Sequence, residues 1–406
     1  MGGALLQLVA LGSQDIPIVG NPQMTYFKSV YKRHTNFAVE SIQQIFSNQI
    51  EFGVLSSCII AKKGDMLKSL LLEIQLPEIS NSTTNNVSWI NGIGHHIIEK
   101  VELLIGGEII QSMTGEFIDI YTELTIPASQ KIGYYKMVGK STEYNASSQT
   151  GAQHLYIPLP FWFCQNISLA IPIIALQYAE VKLNVKFKDF SNCFYSGVNK
   201  PTIPTTKTFT DVFLYCDYIF LDVEERKKMA IEAEKDYLIT QTQISDGNPV
   251  IANEPNIICD LYFNHPVKEL IWVYHSDAAA TNNEYTNYSK NGNTPLINEE
   301  EAPLRNVTLL LDNQDRFGKR SADYFRLVQP FQHHTSNYDQ YIYNYSFALY
   351  PEKYQPSGAC NFSKIHSTSL VIEPTNNILA GEIRVYAINY NILKIKNGIA
   401  GIMYSS

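Results

Sequence analysis

The sequence predicts an all-β protein built as two consecutive sandwiches. Strand formers dominate the apolar residues, apolar and polar residues alternate with a period of two along the chain, and turn residues interrupt that alternation at short intervals. The chain has 406 residues, 45% hydrophobic and 12% aromatic with 26 Tyr, and its 22 Gly and 18 Pro supply the turns. That length exceeds one ordinary domain and suits two sandwiches of roughly 200 residues each. Charged residues make up only 17% and the net charge is −8. Such a chain has no long-range attraction for phosphate backbones, so no direct contact with nucleic acid is expected.

At the N-terminus, Leu5, Leu8 and Val9 have helical spacing before Gly12. Residues 1–25 therefore read as an arm, either a short apolar helix that packs on a neighbour or a strand or turn under its own domain. The start resembles a myristoylation pattern but carries Leu6 where Ser or Thr is wanted. There is no basic stretch ahead of an apolar one, as a secretory signal needs, and no run approaches the ~20 apolar residues of a membrane span. The expectation is folding in a reducing cytoplasm.

Strands follow. Leu70–Leu76 ends at Pro77, as a strand should. Val101, Leu103 and Ile105 alternate before Gly106 and Gly107, and Val181, Leu183, Val185 and Phe187 alternate with Lys182, Asn184, Lys186 and Lys188. Ile383, Val385, Ala387 and Tyr390 approximate the pattern near the C-terminus. The segment from Val223 to Asp236 differs: it is rich in helix formers, has Asp222 as N-cap, and sets Glu224 four residues before Lys228. It reads as a surface helix between the halves. The predicted division is an arm over 1–25, a first domain over 26–221, a helical linker over 222–236 and a second domain over 237–406.

Loops are expected at Ser80–Ser88, Ser141–Gln153, Ser191–Lys207, Ser245–Asn256 and Asp277–Glu301, the last long enough to be an exposed display loop that tolerates replacement. The halves echo each other in order. Val101–Gly107 matches Val307–Asn313, Tyr156–Phe163 matches Phe347–Pro351, and Glu180–Phe187 matches Glu382–Tyr390. A duplicated sandwich with divergent loops leaves such a trace.

Candidates for chemistry are few. The pairs His95–His96 and His333–His334 are expected in strands, where neighbours point to opposite faces and cannot readily chelate one metal. Glu224 and Glu225 belong to the solvated face of the predicted helix. The cysteines Cys58, Cys164, Cys193, Cys216, Cys259 and Cys360 lie far apart, without a C-x-x-C pair, and read as free buried thiols. Phosphate-loop, nucleophile-elbow and zinc-protease motifs are lacking, and Gly92-Ile93-Gly94 has no third glycine. N-x-[ST] occurs at Asn81, Asn86, Asn145, Asn166, Asn287, Asn306, Asn344 and Asn361, which read as accidental in an Asn-rich chain. No residue is nominated as catalytic, cofactor-binding or metal-ligating, and no cofactor is expected.

Several blocks carry a resemblance. Gly12–Asp15, Gly20–Gln23 and Thr25–Phe37 resemble the N-terminal signature of the major capsid proteins of nucleocytoplasmic large DNA viruses. Tyr156–Asn166 leading to Ile174–Tyr178, Tyr218–Asp222 with Glu224–Arg226, and Tyr324–Thr335 resemble the same family. So do Ser346–Glu352, Gln355–Gly358, Asn361–Ser363 and Tyr386–Asn391, and together the blocks span nearly the whole chain in the family's order.

The resemblance implies two tandem antiparallel eight-stranded jelly rolls joined by a short helical linker, and a structural virion protein without enzymatic activity. It also implies a homotrimer that forms a pseudo-hexagonal capsomer, tiles an icosahedral capsid and is assembled in host cytoplasm. The implied partners are neighbouring capsomers, minor capsid and penton proteins, and an internal membrane reached through the N-terminal arm. The alternatives are a minor double jelly-roll paralogue and a carbohydrate-binding or attachment jelly roll, which would need an exposed aromatic cluster in a loop groove. Within the blocks, Pro158 and Pro160 mark a sheet edge, and Phe161, Trp162 and Phe163 are large core residues.

Overall fold

The computed structural model describes residues 2–79, 87–141, 151–196, 208–231, 234–291, 301–336 and 340–405. The chain divides into an N-terminal unit, Met1–Asn36, and a body, Phe37–Ser406. In the N-terminal unit the spacing of Leu5, Leu8 and Val9 is realised as helix α1 (Gly3–Val9), followed by the single turn α2 (Ile16–Val19) with Pro17 near its start. No strand begins at residue 26; the first opens at Phe37. In the intervening segment the apolar residues come as adjacent pairs, Tyr26-Phe27 and Val30-Tyr31, separated by Lys28 and Ser29 and followed by Lys32, Arg33 and His34, so no alternating apolar face exists to bury.

The first half of the body contains β1 (Phe37–Gln44), β2 (Leu55–Ile60), β3 (Met66–Leu76), β4 (Val87–Trp89), β5 (Ile98–Ile105), β6 (Glu108–Thr114), β7 (Gln153–Pro158), β8 (Val181–Phe187), β9 (Phe194–Ser196) and β10 (Asp211–Leu221). One sheet runs β1-β10-β3-β7 and the other β2-β8-β5-β6, all pairs antiparallel, with β4 and β9 as a separate ribbon. Pro158 closes the edge strand β7, where a missing N–H costs no ladder bond. The turn after β5 uses Gly106 and Gly107 at φ of 62° and 90°. Among its described residues this half also carries the α-helices α3 (Ile93–His96), α4 (Gly115–Thr125), α5 (Ala128–Val138) and α6 (Trp162–Gln165).

Helix α7 (Val223–Ile231) follows β10. Asp222 caps it, its carboxylate accepting from the Val223 N–H at 2.7 Å and its carbonyl from Arg226 N–H at 2.8 Å. Its surface ion pair is Lys227–Glu224 at 3.6 Å. Residues 234–236, expected to be helical, instead open a strand.

The second half contains β11 (Glu234–Val250), β12 (Ile257–Asp260), β13 (Pro266–Ser276), β14 (Leu304–Leu311), β15 (Gln314–Ser321), β16 (Ile342–Ser346), β17 (Cys360–Asn361), β18 (Thr368–Pro374), β19 (Gly381–Lys396) and β20 (Ile399–Ile402), with α8 (Asp277–Thr281) and α9 (Gln329–His333). Its sheets run β11-β19-β13-β16, with the short β17 added on β13 and β20 on β19, and β12-β18-β14-β15. Strand by strand this is the order of the first half, so each half is an eight-stranded antiparallel jelly roll and the chain is a tandem of two. The two turns after β5 and β14 correspond: Asp312 and Asn313 take positive φ where the first half uses glycines.

The third sequence echo is corrected by this topology. β8 pairs with β2 and β5, and its counterpart is β18; the strand Glu382–Tyr390 lies in β19, whose counterpart is β10. Alternation alone cannot tell the two sheets apart. The expected loop at Ser245–Asn256 is strand as far as Val250, with a register shift between Ser245 and Asn248 absorbing the polar residues. Most of the loops predicted at Ser80–Ser88, Ser141–Gln153 and Ser191–Lys207 lies outside the described residues.

Inward-facing side chains of the paired sheets form the cores, among them Leu72, Ile74, Leu183 and Val185 in the first half and Leu309, Leu370, Ile372 and Val385 in the second. Burial differs between corresponding strands. β10 alternates buried and part-exposed, whereas β13 and the middle of β19 are buried on consecutive residues, because the first half covers their outer face. Among the described residues no helix is long and apolar enough to cross a membrane.

Candidate functional site

Polar side chains converge where the two sandwiches meet. Thr114 ends β6 and caps α4, its hydroxyl accepting from the Phe117 N–H at 3.2 Å. Gly115 is required there, since a Cβ would stand 2.0 Å from the His95 carbonyl oxygen and 2.4 Å from that of Ile98. This tight turn sets Glu116 at the start of the helix, against β19. Glu116 accepts from the Arg384 guanidinium and, at 2.7 Å, from the Tyr386 hydroxyl, while Phe117 packs on the Tyr386 ring at 5.5 Å. Burial pushes the Glu116 carboxyl upward, but the Arg384 charge outweighs it and holds the pKa below the ordinary value.

A cavity of about 640 Å³ opens beside this pair, lined by Glu99, Glu116, Lys188, Asp189, Glu382 and Arg384 among others. Lys188 lies 3.7 Å from the centre of the Tyr285 ring, and burial lowers its pKa. Tyr285 is stacked between His96 and His275, at ring separations of 5.4 and 6.2 Å. Asn283 donates to the carbonyls of Ser191 and Phe194 at 2.9 and 3.0 Å.

These contacts overturn the reading of Asp277–Glu301 as a dispensable display loop. Its first part forms α8, and Tyr288 is only 2% exposed. The Asn-rich composition that looks solvated supplies hydrogen bonds across the junction. Residues 292–300 of that segment lie outside the described residues.

Two buried charge networks flank the junction. In the first, His95 and His96 sit on the single turn α3, not in a strand, and both are buried. Lys140 donates to both Asp119 oxygens at 2.8 and 2.9 Å and to Glu123 at 2.8 Å. His95 Nδ1 donates to Asp119 at 2.9 Å, and its Nε2 lies 2.7 Å from the Tyr134 hydroxyl. Burial alone would raise the Asp119 pKa, but Lys140 and the histidines carry it well below the carboxylate range. Burial pushes His96 down to about 3, so it is neutral.

A histidine oriented by a buried carboxylate is the geometry of a general base. Here the far nitrogen is taken by Tyr134, whose hydroxyl burial keeps protonated, and the pair has no open side. The arrangement holds α3, α4 and α5 together.

In the second network His334, expected in a strand, caps α9. Its Nδ1 bonds Glu352 at 3.0 Å and its Nε2 bonds Glu269, which also accepts from Asn344 at 2.9 Å. Burial would lower the His334 pKa, yet the two carboxylates raise it to about 9. Beside it Lys268 donates to the Pro351 carbonyl at 2.7 Å, and burial brings its pKa down to about 8.

All six cysteines are free; four are buried, and Cys164 and Cys360 are half-buried. Burial pushes the Cys58 thiol up to about 11 and the Cys193 thiol up to about 12, which makes them inert packing groups. Among the described residues no three His, Cys, Asp or Glu side chains converge as metal ligands. Of the N-x-[ST] sites, Asn287 and Asn344 are buried and Asn361 is exposed, while Asn81, Asn86 and Asn145 lie outside the described residues. Phe161, Trp162 and Phe163 are buried in the core.

A duplicated eight-stranded jelly roll whose polar clusters bind its own elements to one another defines a class of protein, the double jelly rolls. Residues 25–222 match the family described as major capsid protein N-terminus, and residues 225–401 match the large eukaryotic DNA virus major capsid protein family. The major capsid protein of Phaeocystis pouchetii virus is 35% identical, with 100% of both chains covered, and that of Paramecium bursaria Chlorella virus 1 is 33% identical with the same coverage. Among solved structures, the quasi-atomic model of the PBCV-1 virus capsid superposes with a TM-score of 0.82 at 30% identity, covering 94% of this chain and 100% of that one. The Faustovirus major capsid protein shares the fold at 12% identity, with a TM-score of 0.76 over 97% and 96% of the two chains. The chain belongs to the major capsid proteins of large eukaryotic DNA viruses, and its role is structural, as a component of the virion capsid.

Proposed function

We propose that three copies of this chain form a pseudo-hexagonal capsomer, and that these capsomers tile an icosahedral shell. The observation that carries the reading is the strand-for-strand duplication of the jelly roll: three chains bring six equivalent sandwiches, the number a six-sided tile needs. The division into an arm, a first jelly roll, a helical linker and a second jelly roll belongs to the same proposal, with the first strands of the two jelly rolls opening at Phe37 and Glu234. So do the absence of a catalytic step, assembly in the host cytoplasm, and contacts with neighbouring capsomers, minor capsid and penton proteins and an internal membrane. The net charge of −8 favours leaving the genome to other components.

Sedimentation of the purified chain at micromolar concentration tests this. A single species of three times the chain mass, little affected by salt and six-lobed in electron micrographs, is expected. A persistent monomer or dimer would count against the capsomer.

A further inference from the structure

Lys268 holds an irregular place in its sheet. β13 pairs with β19 through Val267↔Asn389 and Glu269↔Ile388, so Lys268 between them is an extra residue with no partner across the ladder. Such a bulge re-aims a side chain, and bulges recur beside binding sites. The carbonyl of the bulged residue accepts from the Phe347 and Ala348 N–H groups at 2.8 and 3.2 Å, which fixes its position. Lys268 is only 4% exposed, and among the described residues its ammonium makes one hydrogen bond, to the Pro351 carbonyl at 2.7 Å. An ammonium has more than one donor to satisfy, and leaving buried donors unmade is costly.

Lys268 lines a cavity of about 300 Å³ at the junction of the sandwiches. The first sandwich contributes Trp162 and Leu169, and the second contributes Leu238 and Thr240 of β11 and Tyr390 of β19, the last two being cross-strand partners. Trp162 is 2% exposed, and its indole N–H has no acceptor among the described residues. Two buried donor groups thus border one largely apolar space. The nearby carboxylates are already engaged: Glu352 accepts from His334 at 3.0 Å and from the Thr335 N–H at 2.9 Å, and Glu269 accepts from His334 and Asn344. Burial outweighs the pull of both carboxylates on Lys268, which marks a cation short of counter-charge. Exposed Lys353, also on the cavity wall, adds positive charge.

We propose that this cavity binds a small organic anion, its carboxylate accepting from the Lys268 ammonium and the Trp162 indole N–H and its flat apolar body lying among Tyr390, Leu169 and Leu238. Such a ligand touches α6 of the first sandwich and β11, β13 and β19 of the second, so it fastens the junction from within. The site belongs to the single chain and does not rest on the capsomer reading.

The test titrates the full chain calorimetrically with naphthoate, a flat carboxylate, and with naphthamide, which has the same body without the charge. One naphthoate should bind per chain and raise the unfolding midpoint. Naphthamide should bind at least about tenfold more weakly, the order expected for a charge-assisted bond made inside a protein. Lys268→Met should bind the two compounds alike. Leu238→Trp, which fills the cavity and leaves every charge in place, should bind neither while melting as the unmodified chain does. The assignment is wrong if naphthoate shows no saturable binding, if the unmodified chain does not prefer it to naphthamide, or if a folded Leu238→Trp binds it undiminished. Should Lys268→Met fail to fold, the naphthamide comparison and Leu238→Trp decide without it.

Discussion

His334 and His96 are buried histidines with opposite charge states, and the difference gives stability a defined pH profile. For His334 the folded pKa, about 9, lies above the ordinary value of 6.5. Its contribution is therefore full below 6.5 and is lost as pH rises through 9. For His96 the folded pKa, about 3, lies below 6.5, so the folded state loses stability as pH falls from 6.5 toward 3. Thermal midpoints measured from pH 4 to 10 should peak near neutrality. The His334→Gln variant should lack most of the alkaline slope, and an unchanged slope would show that the Glu269 and Glu352 pairing does not control it. Asp119→Asn leaves Lys140 buried without its principal counter-charge. Denaturant unfolding should show a loss of about 3–5 kcal/mol, the usual cost of breaking a buried pair from one side.

At the scale of elements, the sequence was legible where burial is one-sided. The alternation of Val181–Phe187, the end of β3 at Pro77 and the cap at Asp222 depend on residues near in sequence, and each element forms where its pattern lies. The polar networks were not legible, because they depend on long-range pairing: nothing next to Asp119 in the sequence announces Lys140 and His95, and nothing next to the His333–His334 pair announces Glu269. The segment following β13 failed for the same reason, as its Asn and Tyr residues look solvated until the first sandwich closes over them. Replacing residues 283–289 with a Gly/Ser linker should therefore destabilise the chain, and Tyr288→Ala alone should cost about 3–5 kcal/mol by the cavity it leaves. Gly115→Ala should be at least as damaging, since its Cβ would strike two backbone carbonyls that cannot move independently. Circular dichroism melts of the three variants check the ordering; a neutral Gly115→Ala would mean the β6–α4 turn can open.

For the whole molecule the open question is the N-terminal unit, which the body does not need for its own sheets. Leu5, Leu6, Leu8, Val9 and Leu11 are all exposed there, with no charged residue between Met1 and Gln14. An apolar stretch of that kind gains from being covered, and burying three or four leucine-sized side chains is worth about 5 kcal/mol before ordering costs. The proposed partners are a neighbouring copy, a minor capsid protein or the internal membrane on the inner side of the shell. Deleting residues 2–14 should leave the unfolding midpoint and the trimer unchanged, because the jelly-roll strands begin only at Phe37. Incorporation into particles should fall: a net docking energy of about 1.4 kcal/mol corresponds to a tenfold preference for the full-length chain. Co-expressing the two forms and measuring their ratio in purified particles decides it. Equal incorporation would mean that the arm does not dock, and a lowered midpoint that it belongs to the fold of the subunit.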